Sequence, residues 1–300
     1  MKFIKILWKF SRPHTIIGSL ISISTLYLII YRQQGIFDVP YFIMALLIGV
    51  SCNIFIVGIN QIADVEIDKI NKPDLPIPSG LLKVNQAKMI IGSALCISLA
   101  LAWLVSPFLL IIIALAGFIG WAYSMPPFHL KKHHLPAALA IATVRGVLLN
   151  AGGFLVFNSV INNSWEMPKN VLILTLFVIA FSIVIAWFKD LPDMAGDAKH
   201  NIKSLAILYS PKTTLLLGNF LVGSAYLFTI IMKYRDFSLP EIPSFQTKTL
   251  FWGHFILFIL FIANAFVVKL SEHQSLKKFY KRFWGFFFAE YVLYLVAFIA

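Results

Sequence analysis

Nine times along its 300 residues this chain runs apolar for long enough to cross a membrane. The runs fall at about 14–31, 40–62, 89–106, 108–124, 136–157, 170–188, 212–232, 250–268 and 281–299. A transmembrane helix needs roughly 20 such residues. In lipid every backbone N–H and C=O must be satisfied within the protein, so these runs must be helices. The expected fold is therefore all-α, a polytopic bundle of about nine transmembrane helices, with residues 1–300 forming one domain. The bilayer is its main packing partner. Charge agrees: only 13% of residues are charged, against about 25% in a soluble domain. A net charge of +12 would suggest nucleic acid in a soluble protein. Here orientation in the membrane explains it, and no nucleic-acid partner is expected.

With the N-terminus in the cytoplasm, nineteen of the 25 Lys and Arg residues fall in inside segments and five in outside loops. Positive charge collects on the cytoplasmic side of real topologies, so the asymmetry supports nine spans with the N-terminus in. Lys2, Lys5, Lys9 and Arg12 precede the first run much as in a signal sequence. That run has no small-residue cleavage site and continues to about Ile30, so it reads as a retained first helix. No Arg/Ser-rich transit segment precedes it, which favours a bacterial or archaeal membrane over a plastid, with a bacterial cytoplasmic membrane expected. Cys52 and Cys96 lie in apolar runs without metal or redox spacing.

Two stretches break the apolar pattern. Residues 57–80 read VGINQIADVEIDKINKPDLPIPSG, with Asn60, Asp64 and Asp68 at four-residue intervals. On a helix such residues share one face. The second stretch, WFKDLPDMAGDAKH, carries Lys189, Asp190, Asp193 and Asp197. Seven of the thirteen acidic residues lie in these two stretches. A lone D-x-x-x-D reads as a solvated loop, but two such clusters, each directly after an apolar run, point to a site. The loops after spans 2, 4, 6 and 8 share one face of the membrane, so the clusters can converge. The segments that carry them, 63–88 and 189–211, exceed ordinary connection lengths.

Hard oxygen donors in two clusters suit Mg²⁺, which takes one or two carboxylates and leaves other positions to water and phosphate. A bound diphosphate follows, because Mg²⁺ neutralises the charge that develops as its C–O bond breaks. Lys72, one turn past Asp68, is a candidate diphosphate contact, as are Lys131 and Lys132 in YSMPPFHLKKHHLP. The Lys pair is equally well explained by inside positive charge, and Tyr123 by an interfacial aromatic. Arg145 is, on these boundaries, the only basic residue well inside a span. It should face the bundle interior and meet an anion. Asn150 lies five residues on, and Arg12 and His14 could reach the same mouth. A membrane enzyme of a diphosphate suggests a lipid diphosphate. Aromatic faces would stabilise an allylic cation, although the 28 Phe read mainly as lipid-facing filler. A divalent-cation transporter would want polar groups at mid-membrane, whereas these carboxylates sit at span ends. The DG…AR…G…D…D pattern of CDP-alcohol phosphatidyltransferases is absent.

NQIADVEIDKINKPDLPIPSG and KDLPDMAGD resemble the two Asp-rich motifs of the UbiA superfamily of intramembrane prenyltransferases, and the likeness spans nearly the whole chain. FSRPHTIIGS (Phe10–Ser19), GINQIADVEIDKINKP, ATVRGVLLN (Ala142–Asn150) and KDLPDMAGD look most like the homogentisate prenyltransferase branch. The resemblance implies a helical bundle with a central cavity open to lipid. It implies Mg²⁺-dependent transfer of a polyprenyl group from a phytyl, geranylgeranyl or solanesyl diphosphate to homogentisate, with decarboxylation. By position, Asn60, Asp64 and Asp68 would hold one Mg²⁺, and Asp190, Asp193 and Asp197 the other. Lys72, Lys131, Tyr123 and Lys189 would contact the diphosphate, and Arg145, Arg12 and Asn150 the acceptor. His129 departs from the basic residue common in that loop. PIPSG also occurs in chlorophyll synthase-like members, and other acceptors (tetrapyrrole, hydroxybenzoate, dihydroxynaphthoate, glycerol phosphate lipid) are the alternative.

Overall fold

The computed structural model describes residues 2–35, 37–237 and 244–299. Among them nine helices are long and apolar enough to cross a membrane, as the hydropathy pattern requires. In chain order the spans are α2 (Pro13–Gln34), α3 (Val39–Ala63), α5 (Val84–Val105), α6 (Pro107–Ser124), the pair α7 (His134–Ala142) and α8 (Gly153–Asn162), α9 (Lys169–Lys199), α11 (Pro211–Phe237), α12 (Phe245–Phe266) and α13 (His273–Ile299). Three short helices lie outside the spans: α1 (Lys2–Phe10), α4 (Val65–Asn71) and α10 (Leu205–Leu208). Span ends carry local signals. Pro13 opens α2, and Gly35 closes it at φ 74°, in the left-handed region. Asp38 caps α3 by accepting from the Tyr41 N–H at 3.0 Å.

α2, α3, α6, α7–α8, α9 and α13 form a ring around a central cavity. α5 packs outside on α3, and α11 and α12 pack outside on α9 and α13. Lipid tails are as apolar as the side chains, so close packing rather than water exclusion holds such helices together. Gly146 shows the requirement: a Cβ there would lie 2.4 Å from Ile179. Much of the Phe content is core rather than filler. Phe181 stacks on Phe283 at 4.3 Å between centroids, and Phe283 meets Phe188 at 4.8 Å. All three are fully buried. Such pairs add about 0.5–1.5 kcal/mol beyond burial of area. Hydropathy sees a Phe as apolar on either face, so the sequence reading missed this cluster.

Other boundaries moved. The second acidic stretch, expected in a loop from residue 189, is helical to Lys199 as the end of α9, although Pro192 lies within it. The first stretch is not one unbroken helix: α3 stops at Ala63 and α4 begins at Val65. The i→i−4 bonds Asp64 N–H to Asn60 C=O (3.0 Å) and Asp68 N–H to Asp64 C=O (2.7 Å) bridge the break and preserve the spacing. Lys233 lies near the C-terminal end of α11, buried, and donates to Asn170 Oδ1. α12 and α13 share a buried His254–Glu290 pair at 2.8 Å. Arg145 is thus not the only basic residue set within a membrane-spanning helix.

Candidate active site

The fifth span changes its winding where it matters. Thr143–Gly152 forms a π-helical segment between α7 and α8. Wider turns of this kind are frequent at functional sites. The segment holds Arg145 and Asn150, and both line the central cavity. That cavity has a volume of about 250 Å³ and is walled mainly by apolar side chains.

At one end it meets a polar chamber. Asp64, Asp68, Asp190, Asp193 and Asp197 all line the chamber, with Lys72, Lys131 and Asn71. Arg12, Asn60, Tyr123 and Lys189 line both spaces, so they form the doorway between them. The two acidic motifs, about 130 residues apart in sequence, therefore converge as expected.

Four of the five carboxylates face a cation, and Asp197 accepts from Asn71 instead. Lys131 bonds Asp64, and Lys72 bonds Asp193. Lys72 also lies 3.9 Å from Asp68, which Arg12 approaches to 3.8 Å. Lys189 lies 3.5 Å from Asp190 and donates to the Tyr123 hydroxyl at 3.1 Å. Asn60 Nδ2 donates to Asp64 Oδ2 at 2.9 Å. Burial pushes the Asp68 carboxyl above its ordinary range, against the pull of Lys72 and Arg12. Burial likewise lowers the Lys131 ammonium, with Asp64 opposing. Lys131 sits on a short turn, Leu130–Lys132, held to the segment after α9 by Lys203 N–H donating to Lys132 C=O at 2.8 Å.

Among the described residues no three Asp, Glu, His or Cys side chains form a closed cage. The donor set still fits Mg²⁺. All its members are hard oxygens, and Asp68 Oδ2 is buried without a hydrogen-bond partner. Mg²⁺ needs only one or two carboxylates per ion.

Asn71 is a site residue that the sequence reading missed. It is buried, accepts from the Gly196 N–H at 2.9 Å, and donates to Asp197 Oδ1 at 3.4 Å. Its seven-residue distance from Asp64 within an acidic motif was the available signal.

The residues expected to meet the acceptor divide. Arg145 stacks over Trp284 and Phe287, its Cζ 4.8 and 5.2 Å from the ring centroids. Its Nη1 is buried without a hydrogen-bond partner. His14 packs edge-on against Trp284 at 4.9 Å. Arg12 turns toward Asp68 while still lining the cavity. Asn150 is spent within the protein: it donates to Thr175 Oγ1 and accepts from the Tyr291 hydroxyl, both at 2.7 Å. The aromatic side of the pocket, Tyr280, Trp284, Phe287 and Tyr291 on α13, was not identified from sequence. Its periodicity is indistinguishable from that of lipid-facing aromatics.

The UbiA prenyltransferase family model matches residues 21–289. The chain is 35% identical to the homogentisate phytyltransferase of Synechocystis sp. over 99% of its own length and 96% of that protein's. It is 33% identical to the homogentisate solanesyltransferase of Arabidopsis thaliana, covering 96% and 75% respectively. A UbiA homologue from Archaeoglobus fulgidus bound to DMAPP and Mg²⁺ superposes with a TM-score of 0.64 at 17% identity, covering 95% of this chain and 99% of that one.

Proposed function

The chain belongs to the UbiA prenyltransferase family, and from that footing we propose that it transfers a prenyl group from an allylic diphosphate to homogentisate. The observation that carries this reading is the doorway. Arg12, Asn60, Tyr123 and Lys189 join an acidic chamber to a long apolar cavity. A diphosphate with an apolar tail has that polarity, and the curated relatives named above act on homogentisate.

Asn60, Asp64 and Asp68 would hold one Mg²⁺, and Asp190, Asp193 and Asp197 the other; bound there, the ions would supply charge neutralisation for the departing diphosphate. Lys72, Lys131 and Lys189 exchange their carboxylate partners for phosphate oxygens, and Tyr123 donates its hydroxyl. Asn71 fixes the distance between the two motifs. The apolar walls keep water from the allylic centre. The C–O bond to diphosphate breaks, and the prenyl C1 bonds a ring carbon, which loses its proton. The acetate side chain of the acceptor loses CO₂ and takes up a proton, becoming methyl. Arg145, with an unpaired buried Nη1, orients the acceptor carboxylate before it leaves. Trp284 and Phe287 present ring faces beside it. Arg12 gates the doorway from Asp68, and Asn150 supports Arg145's segment through Tyr291.

The protein is an integral membrane protein. The charge distribution supports an orientation with the N-terminus and acidic chamber on the cytoplasmic side. We read residues 1–300 as a single domain. The test is transfer by purified protein given radiolabelled homogentisate, Mg²⁺ and phytyl, geranylgeranyl or solanesyl diphosphate in parallel. A Mg²⁺-dependent prenylated quinol is the expected product. Product only with another aromatic acceptor would discard homogentisate, and no product with any acceptor would discard transfer.

A further inference from the structure

Prenylation with decarboxylation moves one proton within the cavity. The acceptor ring gives up a proton where its carbon bonds the prenyl C1. The acetate methylene takes one up where CO₂ leaves. A group beside the acceptor has to carry it. Among the described residues no Asp or Glu lines the central cavity; the carboxylates line the polar chamber instead. Most polar side chains of the cavity are unsuited to the task. Arg12, Arg145 and Lys189 are cations, and Asn53, Asn60 and Asn150 are amides. The Ser, Thr and Tyr hydroxyls hold their protons near neutral pH. His14 is the exception, because imidazole both takes up and releases a proton in that range.

His14 stands in the first turn of α2, two residues from Arg12 at the doorway, and lines the cavity. Its ring packs edge-on against Trp284 at 4.9 Å. Arg145 Cζ lies over the same indole, 4.8 Å from its centroid. His14 and the group that meets the acceptor carboxylate therefore belong to one corner of the cavity. The imidazole is uncommitted. Among the described residues neither ring nitrogen makes a hydrogen bond or an ion pair, and neither counts among the buried polar atoms without a partner. The nitrogens thus face open space. The backbone that carries the ring is fixed. Thr15 Oγ1 donates to the Ser11 carbonyl at 3.0 Å, and Asn53 Nδ2 of α3 donates to the Thr15 carbonyl at 2.8 Å.

We propose that His14 is a catalytic residue, the proton carrier of the reaction. This rests on the reading that the protein prenylates an aromatic acceptor. The C–O bond breaks with its electron pair going to the diphosphate, and the prenyl C1 bonds a ring carbon. The C–H bond at that carbon breaks, its electron pair restores the aromatic ring, and the proton passes to an imidazole nitrogen. The bond to the carboxylate breaks and releases CO₂. Its electron pair takes the proton back from the imidazolium and becomes the third C–H bond of the methyl group. One proton is lost and one is gained, so no outside acid or base is consumed.

The experiment compares wild type with His14→Gln and His14→Asn, as the full chain in nanodiscs. Each is given Mg²⁺, geranylgeranyl diphosphate and ring-deuterated homogentisate in ordinary water. Both amides keep a polar side chain but cannot take the proton. The wild-type product should carry ring deuterium in its methyl group, because the apolar walls shield the carrier from bulk water. In both variants kcat should fall by about a hundredfold or more, and the new methyl hydrogen should come from water. Binding of geranylgeranyl diphosphate without acceptor should match wild type, which shows that the variants fold. Normal kcat in a variant would overturn the proposal. So would a lost kcat with wild-type deuterium in the methyl group, since that loss would be one of packing. A wild-type methyl group free of deuterium would overturn the carrier as well. Wild type that prenylates only another aromatic acceptor would remove homogentisate by itself. His14→Gln should still lose about a hundredfold in kcat on that acceptor, because its ring also gives up a proton.

Discussion

The Gly196 main-chain N–H donates to Asn71 Oδ1 at 2.9 Å, across 125 positions of sequence. The other end of the same carboxamide donates to Asp197 Oδ1 at 3.4 Å. One side chain thus ties α4, which carries Asp68, to the end of α9, which carries Asp193 and Asp197. Gly196 permits it: a Cβ there would lie 2.5 Å from Asn71 Oδ1. Asn71→Leu should cost about 2 kcal/mol of stability through the lost hydrogen bonds, one of them to a charged group. Gly196→Ala should push the carboxamide away. Both should raise the Mg²⁺ concentration needed for half-maximal transfer by about tenfold. A melting temperature that falls with an unchanged Mg²⁺ requirement would reduce Asn71 to a structural tie.

Asp64→Asn and Asp193→Asn should each lower transfer by more than about a hundredfold while the protein still inserts and melts cooperatively. The amide is the informative replacement at Asp64. Asp64→Ala would leave Lys131, which is almost fully buried, facing nothing. Breaking one side of such a pair costs about 3–5 kcal/mol. Turnover like wild type in either amide variant, measured beside its melting curve, would sink the assignment of the metal ligands.

Arg145→Leu should raise the KM for homogentisate by about ten- to a hundredfold, the worth of one or two hydrogen bonds to a charged group. Arg145→Lys should recover part of it, because an ammonium keeps the charge but not the flat stack on Trp284. A quinol acceptor that lacks the carboxylate provides the control. Its KM should not change in either variant. Equal losses for both acceptors would place Arg145 in the packing of the pocket and not at the carboxylate.

Stripping divalent metal with a chelator should stop transfer without lowering the melting temperature. Lys131, Lys72, Lys189 and Arg12 already stand against Asp64, Asp193, Asp190 and Asp68, so four of the five carboxylates are compensated without metal. Mg²⁺ added together with an unreactive prenyl diphosphate should then raise the melting temperature. At a hundred times the dissociation constant the gain is about 2.7 kcal/mol. Stabilisation by Mg²⁺ alone, equal to that with diphosphate, would mean that the basic residues do not neutralise the chamber.

Much of this was legible from residues near one another in the chain. The nine spans, the all-helical class and the placing of both acidic motifs at span ends follow from apolar runs of membrane length and from carboxylates at four-residue spacing. Lys72, Lys131, Tyr123 and Lys189 were named from short motifs, and all four line the chamber. Those are local signals: a run length or a helical repeat is written into consecutive residues.

The packing of the helices decided the rest. Lys131 pairs with Asp64 and Lys72 with Asp193 across 67 and 121 positions. Asn71 reaches Gly196, and Tyr27 meets Phe157 in the cavity wall. The π-helical winding of Thr143–Gly152 places Arg145 and Asn150 on the cavity wall, yet it spends one in contact with aromatic rings and the other on Tyr291 and Thr175. None of these is encoded by spacing. Each depends on the angle and rotation at which one helix meets another, and in a bundle held by shape rather than by water exclusion those are set by many small contacts at once. Sequence alone therefore determined what crosses the membrane and which end carries the acidic chemistry. Only the assembled bundle decided which charge answers which, and which side chains line the cavity.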